Sequence, residues 1–142
     1  MNALPHRFPS GPSLFIPLAL LCLLAGCPDQ RPAYPERSPA LDLQNPQTIA
    51  AGRDLFFKHC VHCHGSASEG RSPRAQSYIP RPPSFTARSY KSLDPAYLYW
   101  RIGVGKTVEP YRSRGSVMPS FAPHLDEKER WQLVAYLRSR PI

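Results

Sequence analysis

Apolar residues are spaced unevenly along the 142-residue chain, and the spacing marks out its parts. From Leu14 to Ala25 they run together, broken only by Pro17. A membrane-spanning helix needs about 20 such residues. The shorter run predicts the apolar core of a signal peptide. The next stretch, Pro28 to Pro46, has few large apolar side chains and carries Pro28, Pro32, Pro35, Pro39 and Pro46. It predicts an extended, semi-rigid tether, reaching about 50 Å at about 3 Å per residue. Tyr34 and Leu41 in it are suited to packing on a domain surface.

From residue 45 onward the pattern turns helical. Asn45-Pro46 is an N-cap followed by proline at the first helical position. Ile49, Gly52 and Phe56 then share one face, which predicts a helix to about His59. Gly52 costs such a helix roughly 1 kcal/mol relative to Ala, and a close helix crossing would give it a reason. Asp94-Pro95 repeats the start signal, with Leu93 and Leu98 placed as a hydrophobic staple. The helix carries Tyr97, Leu98, Trp100 and Ile102 and is expected to stop at Gly103. Asp126 and Glu129 make a capping box before Trp131, Leu133, Val134, Tyr136 and Leu137. Arg138 and Arg140 suit the carbonyl end of that helix, and Pro141 ends it. No segment reads as a strand, and no internal repeat is visible.

Composition sharpens this reading. Hydrophobic residues make up 42% of the chain, too many for a fully disordered protein. The 18 prolines exceed twice the usual share of about 5%. They exclude long uninterrupted helices and a sheet of central strands. The 4 cysteines are too few for a dense disulfide scaffold. A short, proline-broken chain therefore needs some other stabiliser.

Leu24-Ala25-Gly26-Cys27 resembles the bacterial lipoprotein box. The resemblance implies cleavage before Cys27 and a lipid on its sulfur, with Cys22 discarded in the signal. Several acyl chains make a firm anchor. The protein is then expected at the membrane, lipid-anchored on the periplasmic side. Pro28 gives no dependable signal for inner against outer membrane. The expected parts are a signal peptide (1–26), a lipidated cysteine with a proline-rich tether (27–45), and one folded domain (46–142).

Cys60-Val61-His62-Cys63-His64 carries the chemistry. C-x-x-C-H is the attachment signature of c-type haem. Two thiols add across the two vinyl groups of the macrocycle, and the following histidine is held beneath the iron. Three alternatives are open to the same residues. A thiol–disulfide redox pair belongs at a helix N-terminus, where the dipole lowers the thiolate pKa, whereas this pair follows a helix. A structural zinc site wants four ligands, and no second cysteine pair exists. A structural disulfide would leave His64 unexplained. On the other side of the iron, Met118 is the only thioether once Met1 is removed with the signal. It stands in Met118-Pro119, just before the last helix. His59 and His62 are too close to the attachment site to reach round a ring, and His124 is the rival ligand.

Together these segments resemble the class I c-type cytochromes. Gly52-Arg53-Asp54-Leu55-Phe56-Phe57-Lys58-His59-Cys60-Val61-His62-Cys63-His64-Gly65 is similar to that family's first helix and haem attachment. Met118-Pro119-Ser120-Phe121 is similar to its methionine loop, and Arg130-Trp131-Gln132-Leu133-Val134-Ala135-Tyr136-Leu137 to its last helix. The resemblance covers roughly residues 46 to 140. It implies an all-α, cytochrome c-like fold of three or more short helices around one covalent haem c. It implies His64 and Met118 as axial ligands, and a crossing of Gly52 and Phe56 against Leu133 and Tyr136. It also implies a proline carbonyl that accepts from the histidine Nδ1–H. Pro80, Pro82 and Pro83 are the candidates, with Pro82 favoured. Phe56, Phe85, Leu98, Met118 and Leu137 are expected to bury the macrocycle. A finer resemblance is to lipid-anchored monohaem subunits of bacterial respiratory complexes, such as the cytochrome subunit of alternative complex III.

The implied function is one-electron transfer between Fe(III) and Fe(II), with no open iron site and no enzyme chemistry of its own. Methionine–histidine ligation suits that role. The alternative is a haem enzyme or gas sensor whose sixth ligand is displaced. The partners expected are redox proteins of a membrane respiratory complex, not nucleic acid. Arg71, Arg74, Arg81, Arg88 and Lys91 form a basic stretch able to steer an acidic partner, and Arg81 is also placed to meet a haem propionate.

Overall fold

The computed structural model describes residues 32–66, 71–85 and 88–140, with backbone alone at 88 and 89. The signal segment and the lipobox, Cys27 included, lie outside the described residues. The chain divides into two compact units, Met1–Pro32 and Ala33–Ile142. The elements of the second unit are α1 (Pro46–His59), α2 (Val61–His64), a 3-10 turn (Pro73–Ser77), α3 (Arg88–Lys91), α4 (Pro95–Val104) and α5 (Glu127–Ser139). Among the described residues there is no strand. The fold is all-α, as expected.

Each long helix begins where its capping chemistry places it. Asn45 Oδ1 accepts from the backbone of Gln47 at 2.8 Å and Thr48 at 3.2 Å. Asp94 Oδ1 accepts from Ala96 at 2.9 Å. In α5, Asp126 and Glu129 cap each other's backbone N–H at 2.8 and 2.9 Å. Such caps satisfy donors that the first helical turn leaves unpaired. The end of α4 differs from expectation. The helix runs through Gly103 to Val104, and Gly105 caps it at φ 65°. Gly103 is helical, and a Cβ built there would lie 2.9 Å from the Arg130 guanidinium. Gly105 takes the left-handed conformation that side chains disfavour.

α1 crosses α5 at close range. A Cβ on Gly52 would collide with the carbonyl oxygen of Gln132 and press on Tyr136 Cβ at 3.0 Å. One turn on, Phe56 is fully buried, its ring 5.2 Å from that of Tyr136. Trp131, Leu133 and Val134 are buried beside it. The core of the unit is this crossing with α4 laid against it.

Residues 33–45 correct the expected tether. They belong to the folded unit. Tyr34 Oη donates to Asp94 Oδ2 at 2.7 Å, so one carboxylate caps α4 and holds the incoming chain. The Tyr34 ring meets Tyr97 edge-on at 5.3 Å and stacks on Trp100 at 6.1 Å. Arg37 pairs with Glu127 at 3.0 Å, and Leu41 and Leu43 pack on the core. Proline keeps this strap extended, but its scattered apolar side chains bury surface that a solvated tether would expose. The folded unit begins at Ala33, not at residue 46.

Gly52→Ala is expected to lower stability by about 1–3 kcal/mol, the usual cost of overpacking, read as a lower denaturant midpoint. An unchanged midpoint would mean that the helices do not cross this closely.

Candidate functional site

α1 ends at Cys60, whose N–H still bonds the Phe56 carbonyl at 2.8 Å while its own φ of −121° breaks the helix. α2 starts at once. Cys60 is the junction residue before it, and Cys63 and His64 lie within it. All three line a cavity of about 260 Å³, while His62 is exposed. Ser72 locks this turn in place. Its hydroxyl donates to the His62 carbonyl at 2.6 Å and accepts from Ala75 N–H at 3.2 Å, capping the 3-10 turn.

His64 is 8% exposed. Its Nδ1 lies 3.4 Å from the carbonyl of Pro83. A carbonyl only accepts, so Nδ1 carries the hydrogen and the Nε2 lone pair stays unclaimed. Burial pushes the pKa of His64 down to about 4; the Pro83 bond opposes this, and the charges of Lys106 and Arg140 add to it. The ring is therefore neutral at neutral pH, the form that ligates a metal. The bond to Pro83 corrects the choice of Pro82, which lines the cavity one residue earlier. An irregular run of prolines has no periodicity from which the register can be read.

Cys60 and Cys63 are free thiols. Burial, with Cys63 adding, pushes Cys60 up to about 12. A thiol so far from ionising is not the activated thiolate of a disulfide exchanger. Cys63 Sγ lies 3.9 Å from Tyr78 Oη. Among the described residues no group of three or more His, Cys, Asp or Glu could hold a metal ion.

Met118 lines the same cavity. Its loop is strapped to the end of α4. Lys106 N–H bonds the Met118 carbonyl at 3.0 Å, and Ser120 Oγ and the Phe121 N–H bond the Gly103 carbonyl at 2.5 and 3.1 Å. Gly105 has no Cβ to meet the Met118 and Pro119 carbonyls that crowd it. His124 is exposed and outside the cavity wall, whereas His59 is in it. Phe56, Phe85, Leu98 and Leu137, expected to surround the macrocycle, all line the cavity.

The sequence reading missed two cations. Arg101 is 5% exposed and donates from Nη1 to the Gly105 carbonyl at 2.7 Å. Its guanidinium lies 4.4 Å from the rings of both Trp100 and Tyr111, and its Nε and Nη2 have no partner. Lys106 stands beside it in the cavity wall, its pKa lowered by burial and by Arg101. Buried donors without partners are costly, so this edge is built for an anion. The two propionates of a haem fit it, and the apolar remainder of the wall fits the ring. One arginine inside the apolar stretch Tyr97 to Ile102 was the available signal. Arg81, the residue expected to meet a propionate, lines the cavity but is exposed.

The helical fold and this cavity define a c-type cytochrome domain, which carries covalently bound haem c. The family model described as cytochrome C oxidase, cbb3-type, subunit III matches residues 47–137, and the chain belongs to that family. It is similar to a chain of the Kuenenia stuttgartiensis reducing HAO-like protein complex Kustc0457/Kustc0458, at 28% identity and a TM-score of 0.54. That match covers 77% of this chain and 53% of the other, so it spans about half of the solved chain. No curated protein matches this chain.

Ser72→Ala removes the cap of the 3-10 turn and the bond to His62. It is expected to cost about 1 kcal/mol, measured by urea unfolding; no loss would show that the turn is held from elsewhere.

Proposed function

We propose that the protein is a one-electron carrier with its haem attached through Cys60 and Cys63 and its iron held by His64 and Met118. The observation that carries this reading is the convergence of those four side chains on one apolar cavity. Bound there, haem supplies a reversible Fe(III)/Fe(II) couple. The chain does the rest. Pro83 fixes the tautomer and orientation of His64, a bond of the kind that tunes a ligand's basicity. The strapped loop 118–122 holds Met118 in place. Arg101 and Lys106 neutralise the acidic edge of the macrocycle. Phe56, Leu98, Leu133 and Leu137 keep water out, which limits solvent rearrangement on electron transfer.

Electrons would pass at the mouth of the cavity. Ile79 and Val117 are 85% and 59% exposed, and Arg81 is exposed between them in sequence. The Ile79 carbonyl lies 2.9 Å from where a Gly115 side chain would begin, so the two loops meet. Arg74, Arg112 and Arg114 are exposed in the same segments. An apolar centre with basic surroundings suits an acidic redox partner, with encounter sensitive to salt. The family match supports a partner in a membrane respiratory complex. The lipobox at Cys27 supports anchorage at the periplasmic side of the membrane.

Cys60→Ala with Cys63→Ala is expected to abolish covalent haem on a denaturing gel stained for peroxidase activity. Retained stain would overturn the attachment. Met118→Ala is expected to lower the reduction potential, because the thioether favours the ferrous iron; an unchanged potential would remove Met118 as ligand. Cys27→Ser is expected to move the protein from the membrane to the soluble fraction, and membrane retention would remove the anchor.

A further inference from the structure

Arg140, at the C-terminal end of α5, is 1% exposed. Its Nη2 donates to the Ser66 carbonyl at 2.7 Å, while Nε and Nη1 have no hydrogen-bond partner. The guanidinium lies 4.8 Å from the Phe56 ring, 5.7 Å from Phe85 and 5.9 Å from Tyr136. Phe56 and Phe85 are cavity wall, and Arg140 is not. The charge therefore stands one aromatic ring behind the wall. Phe85 also stacks on His64 with centroids 4.4 Å apart, so one ring neighbours both the charge and the site.

Among the described residues Arg140 has no acidic partner. The ion pairs there join Arg37 to Glu127 and Arg53 to Asp54. The nearest carboxylates on α5, Glu127 and Glu129, sit in its first turn. At about 1.5 Å per residue they are some 16 Å or more away. Burying an unpaired cation is costly, and the ring faces and the helix carbonyl end return only part of that cost. An apolar side chain would fill the same space at lower cost. What it would not supply is a fixed positive charge acting on the site through a poorly screening medium.

We propose that Arg140 raises the reduction potential of the centre built on His64, by favouring the form that carries one positive charge fewer. It acts through space from behind the wall and touches neither iron nor haem. The inference rests on the reading of His64 as the iron ligand.

The test is a spectroelectrochemical titration of the holoprotein and its variants. Arg140→Met is expected to shift the potential downward, and Arg140→Lys, which keeps the charge, to stay close to the parent. Arg74→Met removes the same charge from an exposed site and is expected to shift it much less. The Arg140→Met shift should persist at high salt, because a buried charge is poorly screened. If Arg140→Met yields no holoprotein, Arg140→Gln takes its place with the same expected shift. Equal potentials in the parent and the neutral variant overturn the proposal. So does an equal fall in Arg74→Met. A merely structural role would lower thermal stability in both the Lys and Met variants and leave their potentials alike, which also overturns it. Failure of the underlying reading looks different: the parent protein itself would carry no covalent haem.

Discussion

α1 approaches α5 so closely at Gly52 that there is no room for a methyl group. The cavity walls that both helices contribute depend on it. The crossing fixes the end of α1, and with it Cys60 at the junction and Cys63 and His64 on the short helix that follows. It also fixes Leu133 and Leu137, which face the same cavity from α5. α4 then closes another side with Leu98 and Ile102, and the loop bearing Met118 is strapped along its end. A shift of either long helix would separate the attachment residues from the apolar surface opposite them.

The shell contains more positive charge than an apolar core would choose. Arg101 and Arg140 are buried, Lys106 is half-buried, and none is ion-paired to a carboxylate among the described residues. Aromatic rings carry much of the load: Arg101 lies against Trp100 and Tyr111, and Arg140 against Phe56 and Phe85. The two arginines differ in where their unsatisfied donors stand. Arg101 is in the cavity wall, where an anionic edge of a bound group answers it. Arg140 stands behind the wall, where its charge can only be felt. The same residue type thus does two jobs, set by one layer of side chains.

The strap of residues 33–45 ties the entering chain to α4 and α5 through Tyr34, Arg37 and Glu127. Much of the length read as tether is therefore part of the folded unit. Its aromatic contacts lie against Tyr97, itself a cavity residue, so the entry of the chain and the site share a side chain.

Local signals were enough for the helix starts, because Asn45, Asp94 and Asp126 satisfy backbone donors two or three residues away. The C-x-x-C-H spacing marked Cys60, Cys63 and His64 as a group, and all three line one cavity. Met118 was legible as the sole thioether of the chain after Met1. The carbonyl that orients His64 was not, because choosing Pro83 over Pro82 depends on how an aperiodic loop folds back across 19 residues. Nor was the end of α4, because either Gly103 or Gly105 could cap it and the fold uses Gly105. The strap was misread because proline marks an extended backbone without saying whether that backbone lies in water or on protein. The buried cations are the clearest case. A sequence shows that Arg101 and Arg140 are charged, but burial, ring faces and missing partners are properties of the assembled fold. The sequence determined which side chains could hold the haem; only the tertiary structure decided what surrounds it.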